Sequence, residues 1–169
     1  MKTRKTVRLK DYDYSSSGAY FVTICTADNS YVLSKIVETV GDGAFDVPKT
    51  VLTPLGMIVE KNLLSSEKIS GVKIEKYVIM PDHIHVIIII NSDEFRKSAS
   101  GTSRAPSPTN SMLPHIISTF KRFSNKEIGF NIFQRSYMEH IIRDDEDFER
   151  RWNYIVDNPR RWIDKNRNI

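Results

Sequence analysis

Apolar positions along this chain follow two rhythms, one of period two and one near 3.6, and their alternation lays out the elements. Tyr20 to Thr26, β-branched and aromatic, predicts a strand. Tyr31 to Val40, broken by Ser34, Lys35 and Glu38 and followed by Gly41-Asp42-Gly43, predicts a second strand that ends in a turn and pairs with the first. Thr53 as N-cap and Pro54 at the first helical position open a helix whose Leu55, Ile58, Val59 and Leu63 share a face, running to about Ser66. Val72, Ile74 and Tyr77 to Met80 predict a third strand, joined through Pro81-Asp82 in a hairpin to a fourth, His83 to Ile90.

From Asn91 to Pro114 the periodicity is lost among Ser and Pro, which predicts a flexible loop at about 92–113, a linker or a segment that orders on binding. Ile116, Ile117, Phe120 and Phe123 then predict an amphipathic helix to about Lys126, with Lys121 and Arg122 on its open side. Phe133 to Ile142 suits a strand or extended segment. The acids Asp144 to Asp147 sit where the positive end of a helix favours them, and Phe148, Trp152 and Ile155 carry that helix to Asn158-Pro159, where the proline is expected to stop it. The order β-β-α-β-β-α-(β)-α is an α+β pattern of helices on an antiparallel sheet.

Composition narrows the setting. A chain of 169 residues, 40% hydrophobic, fits a single domain over 1–169 with its own core. A net charge of +4 permits a polyanionic partner without requiring one. The lone cysteine, Cys25, rules out an internal disulfide and a cysteine-built metal site, and its apolar setting marks it as a small core residue. No stretch approaches the roughly 18 apolar residues of a membrane span, so no membrane partner and a cytoplasmic location are expected.

Two places carry candidate chemistry. In a strand, His83 and His85 point to one side while Ile84 and Val86 point to the other, so two imidazoles share a space that can hold a divalent metal. Such a pair is more often structural than ligating when it stands alone. Asp82 either orients a histidine or shapes the turn. On the last helix, at about 100° per residue, Tyr154 and Asn158 fall within about 40° of each other and off the main apolar stripe. The phenol can face a cleft, the amide one turn on can ligate a metal or bind a phosphate, and Arg151 lies nearby. His140 is a candidate third ligand or acid/base, with a hydrogen-bonded structural role as the simpler alternative; His115 suggests no role.

Taken together, Gly18 to Thr26, Tyr77 to His85, Phe133 to Arg143 and Tyr154 to Pro159 resemble the single-tyrosine transposases of the His-hydrophobe-His (HUH) superfamily, and most closely the REP-associated tyrosine transposase branch. The likeness spans nearly the whole chain outside the Ser/Pro segment. It implies a ferredoxin-like antiparallel sheet with helices packed on one face. It also implies that His83 and His85 hold Mg²⁺ or Mn²⁺ with help from Asn158, and that Tyr154 attacks a DNA phosphodiester. The third protein ligand stays open between Asn158, His140 and none.

The implied product is a 5′-phosphotyrosine with a free 3′-hydroxyl, which stores the energy of the broken bond, so strand transfer needs no nucleotide. The implied partner is single-stranded DNA beside a hairpin. Lys121, Arg122, Arg150, Arg151, Arg160 and Arg161 are candidate phosphate contacts, and Trp152 or Trp162 a base-stacking platform, although Trp152 lies on the core stripe. Some members act as dimers that exchange the tyrosine helix, which leaves a homodimer open. Members with a longer basic C-terminal extension differ from this chain, which is expected to lack it. Two rival classes remain: a metal-dependent phosphodiesterase using water, and a catalytically silent nucleic-acid-binding domain.

Overall fold

In the computed structural model, which describes residues 17–38, 48–99 and 112–166, the β-rich and helical rhythms become ten elements. They are β1 (Gly18–Cys25), β2 (Ser34–Val37), β3 (Lys49–Leu52), α1 (Pro54–Leu64), β4 (Val72–Ile79), β5 (His83–Ile90), α2 (Ser92–Ala99), α3 (Met112–Ile128), β6 (Met138–Ile142) and α4 (Asp145–Asn166). Four strands form an antiparallel sheet in the order β4-β5-β1-β6. With α1 between β1 and β4 and α3 between β5 and β6, this is the β-α-β-β-α-β ferredoxin-like arrangement the sequence implied.

Strand alternation divides the side chains between two cores. Tyr20, Val22 and Ile24 of β1 and Ile84, Val86, Ile88 and Ile90 of β5 face α1 and α3, where Val59, Leu63, Ile116, Ile117 and Phe120 close the main core. A bulge between Ile74 and Lys76 shifts β4 by one residue, so that Tyr77 and Ile79 return to the face of Val72 and Ile74. On the opposite face, Phe21 and Ile87 meet Ile155 of α4, with Trp152 and Tyr154 against them. Thus α1 and α3 cover one face, and among the described residues α4 lies over the face that carries the histidines.

Several expectations need correction. The second strand is only Ser34–Val37 and pairs with β3, which the sequence reading missed, and not with β1. The reason is that both edges of β1 are already taken by β5 and β6. The turn proposed at Gly41-Asp42-Gly43 lies outside the described residues. The expected loop begins as a helix, α2, because Asn91 Oδ1 accepts from the backbone N–H groups of Asp93 and Glu94 at 3.1 and 3.3 Å and the two acids suit a helix start; residues 100–111 lie outside the described residues.

Pro159 does not end the last helix, which continues to Asn166. A proline inside a helix costs about 3 kcal/mol, which tertiary packing can repay. Here Asn158 and Pro159 are buried, and Trp162 beyond them meets Tyr31 at 5.2 Å and His83 at 6.1 Å between ring centroids.

Other local signals hold. Thr53 caps α1 by accepting from Gly56 N–H at 3.1 Å. Asp144 accepts from Asp147 N–H at 2.7 Å at the start of α4. No helix among the described residues is long and apolar enough to cross a membrane.

Candidate metal and tyrosine site

The β4–β5 turn fixes the first histidine. Asp82 C=O accepts from the N–H and hydroxyl of Thr26 at 2.8 and 2.9 Å, and Met80 N–H donates to His83 C=O at 2.8 Å. Held there, Asp82 places Oδ1 2.5 Å from His83 Nδ1. A carboxylate only accepts, so Nδ1 carries the hydrogen, and Nε2 is the ring nitrogen left to face a ligand.

His85 is oriented from the next strand. Its register partner on β1 is Thr23, whose Oγ1 lies 2.8 Å from His85 Nδ1. Phe21 stacks on the ring at 5.3 Å between centroids and 22° between planes. The imidazole is 5% exposed, and burial, with the neighbouring His83, pushes its pKa down to about 3. It is neutral at physiological pH, as a metal ligand must be. The two rings meet with centroids 4.5 Å apart.

Helix α4 brings the third part. The Tyr154 ring meets His85 edge to face at 5.1 Å and Phe21 at 5.9 Å, and the Arg161 guanidinium lies 5.2 Å over it. Because Tyr154 faces His85 and Trp162, eight residues on, faces His83, the buried Asn158 midway between them lies on the helical row that runs over the histidine pair. Of the sequence-predicted residues, Asp82, His83, His85 and Tyr154 are brought together, and Asn158 is buried one helical turn after Tyr154.

His140 is not part of this group. It pairs in register with Phe21 on the far side of β1 from β5, about 12 Å along and across the sheet from His85, and its Nε2 is 2.6 Å from Asp147 Oδ2. Burial pushes the Asp147 carboxyl up, but the hydrogen bond and charge of His140 and the charge of Arg151 outweigh it and hold the pKa below its ordinary value.

Among the described residues, no group of three or more His, Cys, Asp or Glu side chains converges on one point. The donors present are two imidazoles, each with Nδ1 engaged and Nε2 left over, and one amide. This mixed nitrogen and oxygen set fits a divalent cation that completes its shell with phosphate or water oxygens, with Mn²⁺ tolerating imidazole better than Mg²⁺.

Tyr154 opens onto a cleft of ≈ 1050 Å³ between α4 and β6, where Arg143, Arg150, Arg151 and Arg161 face Asp144, Asp147, Asp157 and Glu139. The predicted DNA contacts divide. Arg151 lines this cleft with its Nε 3.3 Å from Asp147 and its guanidinium 5.4 Å over Phe21. Arg150 reaches Glu146 and Asp147 at 3.6 and 3.7 Å. Arg160 is exposed on α4 and does not line the cleft. Trp152 packs in the second core with the Lys76 ammonium 4.8 Å over its ring.

Lys121 and Arg122 lie on α3, across the sheet from the histidines. Lys121 donates to the carbonyls of Gln134, Arg135 and Ser136 at 2.9, 3.5 and 3.1 Å, so its three donors are spent within the fold. Sequence reasoning missed Thr23, Phe21 and Asp147. Their chemistry is ordinary, and only strand register and helix docking give them their partners.

The fold is shared with a REP-associated tyrosine transposase bound to a REP hairpin, which superposes with a TM-score of 0.61 over 91% of this chain and 73% of that one, at 18% identity. The chain belongs to the same family as an uncharacterized protein of Haemophilus influenzae, 31% identical over 171 residues that cover 94% of this chain and 89% of the relative. A protein of the same organism named "Putative REP-associated tyrosine transposase" is 32% identical over 83 residues, 48% of this chain and 46% of its own length. No protein-family model matches the chain.

Proposed function

We propose that this protein is a metal-dependent, single-stranded DNA endonuclease and strand transferase, a transposase, in which Tyr154 is the nucleophile. The observation that carries the reading is the edge-to-face cluster of His83, His85 and Tyr154, with ring centroids 4.5 and 5.1 Å apart and an arginine-lined cleft in front of the tyrosine. Its kinship with a chain named for REP-associated transposition, and a fold shared with one that binds a REP hairpin, support hairpin-flanking DNA as the substrate class.

His83 Nε2, His85 Nε2 and the Asn158 amide would hold Mg²⁺ or Mn²⁺. When bound, the cation polarises the scissile phosphate and offsets charge that builds on its oxygens. The chain's own residues do the rest. Thr23 and Asp82 fix the imidazoles, Phe21 packs against both His85 and Tyr154, and the Arg161 and Arg151 guanidiniums favour a phosphate in the cleft. Tyr154 Oη attacks phosphorus and loses its proton to solvent. The bond from phosphorus to the 3′ oxygen breaks, that oxygen takes up a proton, and the 5′ phosphate remains on the tyrosine. Attack by a 3′-hydroxyl on this ester reverses the exchange and joins strands.

The test is incubation with Mn²⁺ and a 5′- or 3′-labelled strand carrying a hairpin, followed by denaturing electrophoresis. An adduct that retains the 3′ label and is absent from Tyr154→Phe supports the reading. Cleavage without an adduct would replace it with hydrolysis by water, and binding without cleavage with a silent nucleic-acid-binding domain.

A further inference from the structure

We propose a second nucleic-acid site, for unpaired bases, in the cleft between α3 and residues 129–137, on the opposite side of β6 from Tyr154. The inference rests on the DNA-directed reading above and extends it. This cleft of ≈ 820 Å³ is lined by Lys121, Arg122, Lys126 and Arg135, and by no carboxylate. The Tyr154 cleft, in contrast, balances its arginines with four acids. A polyanion gains more where cations are uncompensated, so of the two clefts the one at α3 is the stronger electrostatic seat.

The cations are also available. Among the described residues, no ion pair engages Arg122, Lys126 or Arg135; Arg122 only lies over Phe123, 5.1 Å from the ring centroid. Two aromatic rings sit among them. Phe130 is 58% exposed, an unfavourable position for a phenyl ring unless something covers it, and Tyr137 is partly buried beneath the Lys121 ammonium, 5.6 Å from its centroid. Cations that follow a backbone beside rings that stack bases are the recognition mode of unpaired strands, since a duplex keeps its base faces covered.

The wall is preorganised. Lys121 clamps the carbonyls of residues 134–136, and Asn125 donates to Asn131 Oδ1 at 3.1 Å and accepts from Ile132 N–H at 3.0 Å, which fixes the loop bearing Phe130. The turn itself uses Gly129 at φ +95°, a conformation open to glycine. Position completes the case. Arg135 and Tyr137 line this cleft, and Glu139, His140 and Ile141, next along the chain in β6, line the other. One strand of DNA can therefore occupy both, its scissile phosphate at Tyr154 and its flank across α3.

The experiment is fluorescence anisotropy with a labelled single strand of about 20 nucleotides, long enough to exceed one binding site, over a salt series. Expected for R122Q/K126Q/R135Q is a Kd at least tenfold weaker and a salt slope lower by about 2, at roughly 0.7 per lost phosphate contact. Phe130→Ala is expected to weaken the single strand by at least fivefold and to leave a duplex of the same sequence unaffected. Each single Gln variant is expected to lower the slope by about 0.7, which decides the matter even if the triple variant unfolds.

An unchanged Kd and slope in these variants overturns the site, and equal losses for duplex and single strand overturn the assignment to unpaired bases. Absence of any covalent adduct would sink the nucleophile assignment and leave this binding measurement standing.

Discussion

The rings of His85 and Tyr154 meet edge to face at 5.1 Å and 71°, although one belongs to the second central strand and the other to the last helix. That contact converts a strand with two histidines and a helix with a tyrosine into one site. Its consequences can be measured.

Replacing Tyr154 by Phe removes the proposed nucleophile and retains the ring that packs on His85 and Phe21. The covalent DNA adduct should vanish while unfolding stability changes by no more than about 0.5 kcal/mol, the usual range for a substitution that keeps its packing. Adduct electrophoresis beside a thermal melt checks both halves. Persistence of the adduct would move the nucleophile elsewhere.

Metal affinity should depend on residues that do not touch the metal. Thr23→Val keeps the shape of the side chain but removes the hydroxyl 2.8 Å from His85 Nδ1, and Mn²⁺ binding by calorimetry is expected to weaken about 10- to 100-fold. His83→Ala should abolish binding, and His140→Ala should leave it unchanged because that ring is held by Asp147. A large loss of metal in His140→Ala would restore it as a ligand.

Acid should destabilise the fold through His85. Burial and His83 hold its folded pKa at about 3, against an ordinary 6.5. Below pH 6.5 the unfolded chain takes up a proton that the folded chain refuses. This contribution is therefore fully present above pH 6.5 and declines as pH falls towards 3, by about 2 kcal/mol at pH 5. Denaturant titrations at pH 7 and 5 should show the fall, and His85→Phe, which keeps a ring against Phe21, should reduce it. Equal pH dependence in parent and variant would contradict the assignment.

Close approach at Gly56 should make it intolerant of any side chain. A Cβ there would stand 2.0 Å from the Leu33 carbonyl oxygen, which also accepts from Thr53 N–H at 3.0 Å. Gly56→Ala gains helix propensity yet is expected to cost about 3 kcal/mol, because the start of α1 must lift from the backbone leading into β2. Urea unfolding measures it. A stabilised Gly56→Ala would show that this docking is loose.

Much of this molecule is written in local pattern. The alternation of His83 to Ile90, the Thr53-Pro54 start of α1, the acids before α4 and the four-residue spacing of Tyr154 and Asn158 each follow from strand or helix geometry over a few residues. The same rules mislead where distant partners intervene. Pro159 lies inside α4 because Trp162 is anchored on Tyr31 and His83. β2 pairs with β3 because β1 has no free edge. Lys121, which sequence marks as a free cation, closes on three carbonyls 13 to 15 residues away.

Local pattern specifies the residue types of the site, the faces they occupy within their own elements and the α+β order of those elements. Long-range packing pairs Thr23 with His85 and His140 with Asp147, and leaves uncompensated charge in the α3 cleft and not in the tyrosine cleft. The division has a physical cause. Periodicity fixes where a side chain points relative to its own backbone, whereas strand register and helix docking are set by the sum of many weak contacts between distant segments, and it is those that choose each polar group's partner.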